Sequence, residues 1–421
     1  MTGIRQFPPG FLWGTSTSSH QVEGNNLGND WWEYEQSGRV PHRSGRACNQ
    51  YELFEVDFDL ARSLGQNAHR FSLEWSRIEP AQGVWSDDAL SHYAQVIHAL
   101  KSRGLEPIVT LHHFTNPAWF SQRGGWVRQD SPRLFARYVA HTTRRLGHGV
   151  KYWLTMNEPT VYVVQGYVTG EWPPCLPSAW GRASLALINL ARAHRLAYRE
   201  VRRQCPDSMV GFAHSAPVIV PCDPTRARDR LAASLRDFLL NRAFFSMIGG
   251  RPWLRTRALD FIGLNYYSRT IVRSSGWGLQ ALLGRTCNEP HHQRGPLSDI
   301  GWEVHPAGLK AVLQRYARFG LPLLVSENGV ATRDEGMRCD FIVRHLASLC
   351  GAIEDGVKVL GYCYWSLIDN FEWALGTKPR FGLIAVDYDT QQRVPRPCAA
   401  LFAEVCRTNR LSEPDEPDAV S

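Results

Sequence analysis

Two glutamates stand where apolar runs stop. In LVSENGV (residues 324–330) Glu327 follows Leu324, Val325 and Ser326, and in TMNEP (residues 155–159) Glu158 follows Met156 and Asn157. A lone acid at the end of an apolar run is ordinarily a helix cap or one half of an ion pair. Two of them on one face of a fold can do acid–base work. One protonates a leaving oxygen while the other attacks or activates water, which is the arrangement glycoside hydrolysis needs. Aldolase-like and isomerase chemistry can use the same pair types, so the glutamates alone leave the reaction open.

Elements that would hold such a pair recur along the chain. Short apolar runs rich in β-branched and aromatic residues lie at 11–18, 68–73, 107–113, 151–157, 209–215, 260–267, 321–328 and 359–367, with amphipathic helical stretches between most of them. Alternating β and α units imply a parallel sheet, and eight of them in 421 residues fit a closed barrel better than an open sheet. The expected fold is α/β, a single-domain (β/α)8 TIM barrel over residues 1–411, with SEPDEPDAVS (412–421) as a disordered acidic tail. Ser86 opens one helix that stops at Gly104; Ser131 and Pro132 read as the N-cap and first position of another, with Leu134, Phe135, Tyr138, Val139 and Leu146 on its inner face. Most of the runs end in polar or aromatic residues: His112 and His113, Asn157 and Glu158, Asn265 and Tyr267, Glu327 and Asn328, Trp365 and Ser366. In a barrel these ends converge on the C-terminal face, where the active site sits.

The bulk composition is that of a globular protein, 43% hydrophobic and 21% charged, which excludes disorder for the bulk of the chain. The formal charge of +7 is spread along the chain with acids interspersed, so no nucleic-acid partner is expected. Ten cysteines at irregular spacing, none in a CxxC pair, read as reduced and mostly buried thiols. The N-terminus lacks an apolar signal region, and no uninterrupted apolar stretch reaches the length of about 18 residues that spans a membrane. A cytoplasmic protein with no membrane partner is expected. His291 and His292 have no third ligand at helical or finger spacing, so they read as solvated loop residues, with no metal and no cofactor.

FLWGTSTSSHQVEG (11–24), TMNEP, GLNYYS (263–268), VSENG (325–329) and YWSLIDNFEW (364–373) together resemble the signatures of glycoside hydrolase family 1, the β-glucosidase and β-galactosidase family. The resemblance runs from about Phe7 to Arg407, and five motifs in the right order are far more specific than any one. It implies a retaining β-glycosidase acting on terminal non-reducing β-D-glucosides, and on β-galactosides or β-fucosides as well. Glu158 matches the general acid/base and Glu327 the nucleophile, with carboxylates about 5 to 5.5 Å apart. Arg70 and Tyr267 match groups that orient the nucleophile. Gln21, His113, Asn157, Asn265, Tyr267, Glu372 and Trp373 match the hydroxyl-binding set, Trp365 the stacking platform, and Trp302 the tryptophan on the aglycone side. A non-proline cis peptide between Trp365 and Ser366 is implied too.

Glu372 occupies a loop where phospho-glycosidase relatives place phosphate-binding residues, so unphosphorylated sugars are favoured. Three departures bear on the pocket: Phe114 replaces a more usual Trp, and Trp172 and Cys175 stand in an altered entrance segment, GEWPPCLPS (170–178). Two other outcomes stay open, a transglycosidase using the same site and a catalytically inactive sugar-binding protein; oligomeric state is not read from the sequence.

Overall fold

The computed structural model describes residues 4–249, 258–275, 283–287, 289, 292 and 295–412. In chain order its strands are β1 (Ile4–Gln6), β2 (Leu12–Ser16), β3 (Ala68–Ser72), β4 (Glu106–Thr110), β5 (Tyr152–Asn157), β6 (Met209–Ser215) and β7 (Val218–Pro221). They continue with β8 (Ile262–Asn265), β9 (Arg269–Arg273), β10 (Arg285–Thr286), β11 (Leu323–Asn328), β12 (Val359–Trp365), β13 (Ile384–Val386), β14 (Arg393–Pro395) and β15 (Arg410–Ser412). Eight of these close a parallel barrel in the order β11-β12-β2-β3-β4-β5-β6-β8, one strand from each run picked out in the sequence.

The runs become barrel strands because both faces of each are covered. Ala68, Ile108, Leu154, Ala213, Phe261, Leu324 and Cys363 are buried in a central cluster, and Trp13, Val109, Trp153, Phe212 and Tyr362 pack outward under the helices. Strands buried on both faces carry near-continuous apolar residues instead of strict alternation. Helix Asp87–Ser102 begins as expected, its Ser86 hydroxyl accepting from the Ala89 N–H, and Gly104 follows it at φ +70°. The other expected helix differs. It spans Ser131–Leu146 with Asp130 at the N-cap, and the Ser131 hydroxyl donates instead to the Gly125 and Arg128 carbonyls. Ser131 therefore fastens the preceding turn and does not cap the helix. Phe135, Tyr138, Val139 and Leu146 face inward as the periodicity required, and Leu134 is half-buried.

Smaller sheets decorate the barrel. β10, β9 and β7 form a three-stranded sheet, β13 pairs with β14, and β1 pairs with β15. The last pair corrects the start of the expected tail, because Ser412 is paired with Ile4; residues 413–421 lie outside the described residues. All ten cysteines are free thiols, eight of them buried. Among the described residues no helix is long and apolar enough to cross a membrane.

Candidate active site

Glu158 and Glu327 end up together because the ends of β5 and β11 are irregular. The pairing of β5 with β6 slips between Leu154 and Asn157, and that of β11 with β8 slips between Val325 and Glu327. A bulge re-aims the side chains beyond it, so both strands deliver their last carboxylate to the barrel mouth. Glu158 is also bent. Pro159 follows it at the start of helix Pro159–Val163, which bars Glu158 from continuing as a helical residue. Its backbone sits at φ 41°, held by its N–H donating to the Ala213 carbonyl (2.8 Å) and its carbonyl accepting from the Tyr162 N–H (3.1 Å). Phe114 (φ 69°) and Trp373 (φ 50°) share this left-handed conformation. For non-glycine residues it costs about 1–3 kcal/mol each, and it persists where surrounding structure over-determines it.

A buried network ties the two carboxyl groups to one frame. Arg70, wholly buried on β3, ion-pairs with Glu327 Oε1, and Tyr267 OH donates to Glu327 Oε2 (2.6 Å). The other arm of Arg70, Nη2, donates to Asn157 Oδ1 (2.7 Å), and Nε donates to Thr110 Oγ1 (3.1 Å). Asn265 Nδ2 donates to both Asn157 Oδ1 (3.0 Å) and Glu158 Oε1 (2.9 Å). Its own oxygen accepts from Ser326 Oγ (2.7 Å), which fixes the amide's orientation. Burial pushes the Glu158 carboxyl up to about 8, and the negative charge on nearby Glu327 pushes the same way. Glu158 therefore holds its proton at neutral pH, beside a Glu327 side chain held by a guanidinium and a phenol.

The remaining residues form a continuous wall. His113 Nε2 lies 3.2 Å from Asn157 Nδ2, and its ring stacks with Trp365 (6.0 Å between centroids, 19°) and with Trp373 (6.3 Å, 18°). Trp365 Nε1 donates to Glu372 Oε1 (3.1 Å). Gln21 is clamped, its oxygen accepting from Ser18 Oγ (2.6 Å) and its nitrogen donating to Asn370 Oδ1 (3.1 Å). Burial raises Glu372 to about 7 against the opposing pull of hydrogen bonds from Trp365 and Gln21. The Trp365–Ser366 peptide is cis. Trp302 is 45% exposed and meets Tyr267 at 5.4 Å between ring centroids. Both line a hollow of about 450 Å³ that Asn265 lines as well.

Every site residue expected from the sequence thus falls in one connected cluster. Ser18, Thr110, Ser326, Asn370 and Ser215, which hydrogen-bonds the Glu158 carboxyl, were not anticipated; small polar residues near strand ends give no signal until the strands converge. The Phe114 departure is matched by another, since Trp172 packs edge-on against Phe114 (4.9 Å) and leans on Trp373 (5.7 Å). His292, expected as a solvated loop residue, lies instead against the Cys222 sulfur (3.3 Å); His291 lies outside the described residues.

A closed (β/α)8 barrel carrying an acid and a carboxylate at its strand ends, with a wall of amides, imidazole and indoles, defines a glycoside-hydrolase site. The family model for glycosyl hydrolase family 1 matches residues 4–251 and 253–411. A β-galactosidase of Pyrococcus woesei is 31% identical over 97% of this chain and 98% of its own. A solved β-glycosidase of Pyrococcus horikoshii superimposes with a TM-score of 0.89 at 41% identity, covering 98% and 97% of the two chains. The family 1 β-glucosidase of Thermotoga maritima in complex with isofagomine lactam gives 0.90 at 29% identity, covering 97% and 100%. The chain belongs to glycosyl hydrolase family 1 and is an enzyme, a retaining β-glycosidase.

Proposed function

We propose that the enzyme releases terminal non-reducing β-D-glucosyl groups, and β-galactosyl or β-fucosyl groups as well, by double displacement with Glu327 as nucleophile and Glu158 as acid and then base. The supporting observation is the shared frame of Arg70, Asn157 and Asn265, which holds the Glu158 and Glu327 carboxyl groups on one barrel mouth. In the first step a Glu327 oxygen attacks the anomeric carbon, the glycosidic C–O bond breaks, and the Glu158 proton passes to the departing oxygen. The ester that forms has no charge, so the electrostatic push on Glu158 is relieved and its carboxylate form becomes accessible. Glu158 then takes a proton from water as that water attacks the anomeric carbon and the Glu327 ester opens.

Binding residues follow from the wall. Gln21, His113, Asn157, Glu372 and Trp373 surround the sugar hydroxyls, Trp365 lies beneath the ring, and Trp302 with Tyr267 meets the aglycone. Glu372, an acid held by two neutral donors, accepts from hydroxyl groups and repels a 6-phosphate. Residues 4–411 act as one catalytic unit, and ten free thiols favour a reducing, cytoplasmic setting.

The pH profile tests the assignment. The folded pKa of Glu158 is raised, so the proton donor is intact below about 8 and is lost as pH rises through that value. With p-nitrophenyl β-glucoside, kcat/KM is expected to fall on the alkaline side with an apparent pKa near 8. A decline already complete near 5, the range of an ordinary glutamate, would refute Glu158 as the acid.

A further inference from the structure

Outside the active site, Cys222, Cys287, Glu289 and His292 place one donor atom each within 4.8 Å of one another. We propose that these four residues form a zinc site. Cys222 follows β7 and Cys287 follows β10, and both are anchored to β9 between them: the Cys222 N–H donates to the Val272 carbonyl and the Cys287 N–H to the Ile271 carbonyl, each at 2.8 Å. The sulfurs meet at 2.7 Å, His292 Nε2 lies 3.3 Å from Cys222 Sγ, and a Glu289 oxygen lies 3.8 Å from His292 Nε2. Bonds of about 2.0–2.3 Å to a tetrahedral zinc imply ligand–ligand edges of about 3.3–3.8 Å. The sulfurs would part by about 1 Å, and no pair of the four donor atoms starts more than 4.8 Å apart.

Charge favours the same occupant. Two thiolates and a carboxylate bring three negative charges, zinc supplies two positive ones, and Arg273, which ion-pairs with Glu289 and hydrogen-bonds the Cys222 sulfur, supplies the third. Thiolate and imidazole donors select zinc over calcium or magnesium. The rival is a Cys222–Cys287 disulfide, which needs the sulfurs at about 2.03–2.05 Å; it would use neither the His292 nor the Glu289 donor atom that converges on the same point. Cys287 also lines the hollow beside Trp302, so the ion would fasten the outer wall of the active-site entrance.

The full-length chain, purified without chelator and supplied with zinc chloride, should carry about one zinc per chain by elemental mass spectrometry. Cys222→Ser and His292→Ala should each lose about nine-tenths of it. Chelation should lower the melting temperature of the parent and leave that of His292→Ala unmoved. Because His292 is partly exposed, this variant keeps the test usable if Cys222→Ser does not fold. The proposal is overturned by a parent chain that binds no zinc, by zinc retained in both variants, or by an intact mass showing Cys222 and Cys287 oxidised to a disulfide.

Discussion

Glu327→Gln is expected to lower kcat on p-nitrophenyl β-glucoside by about 10⁴-fold or more, equivalent to about 5.5 kcal/mol of lost transition-state stabilisation. An amide of the same shape can still accept from Arg70 through its one oxygen, with its nitrogen donating to the Tyr267 hydroxyl in place of the bond Tyr267 gives the carboxylate. It cannot form the glycosyl ester, because its oxygen carries no full charge and its nitrogen is not nucleophilic. Sugar binding is the control. The residues around the hydroxyls are untouched, so a competitive sugar mimic should bind within a few-fold of the parent. Removing the negative charge also removes one of the two causes that raise Glu158, whose pKa should then move down. Initial rates and equilibrium binding measured on the same preparation check all of this. A loss of about tenfold or less would show that some other group attacks the sugar.

Glu158→Ala should show a loss that depends on the leaving group. An alkyl β-glucoside departs as an alkoxide unless protonated, so its turnover should fall by about 10³- to 10⁴-fold. A dinitrophenyl β-glucoside needs no proton, so its first step should survive and the ester should accumulate, since no base remains to activate water. Added azide, which needs no base, should restore turnover and give a β-glycosyl azide. The alkaline limb near pH 8 should vanish with the side chain. Equal losses for the alkyl and dinitrophenyl substrates would instead indicate a positional role for Glu158.

Much of the barrel could be read from the chain because its determinants are local. Runs such as Phe261–Leu264 and Leu323–Val325 must be apolar on both faces to sit between core and helices, and that shows in one dimension. The two glutamates were legible for the same reason, standing where those runs stop. What stayed hidden depends on convergence. The slips in pairing beside Glu158 and Glu327 arise from neighbouring strands, not from their own residues. The left-handed backbone at Phe114, Glu158 and Trp373 is imposed by tertiary contacts against the intrinsic preference of each residue. Ser131 is ambiguous in the sequence because a hydroxyl before a helix can cap it or bind the preceding turn, and only the position of the Gly125 carbonyl decides. Trp172 and Phe114 were separate oddities until the fold laid one on the other. Cys222 and Cys287 are 65 positions apart, so the sequence spacing around His291 and His292 does not disclose them.

Covalent capture of the sugar would settle which carboxylate attacks. A dinitrophenyl 2-deoxy-2-fluoro-β-glucoside slows both displacements through its electron-withdrawing fluorine, while the good leaving group keeps the first faster than the second, so the ester should persist long enough to isolate. Peptide mass spectrometry after inactivation should find one fluoroglucosyl group per chain, on Glu327. A label on any other side chain, or complete inactivation with no covalent label, would contradict double displacement through Glu327.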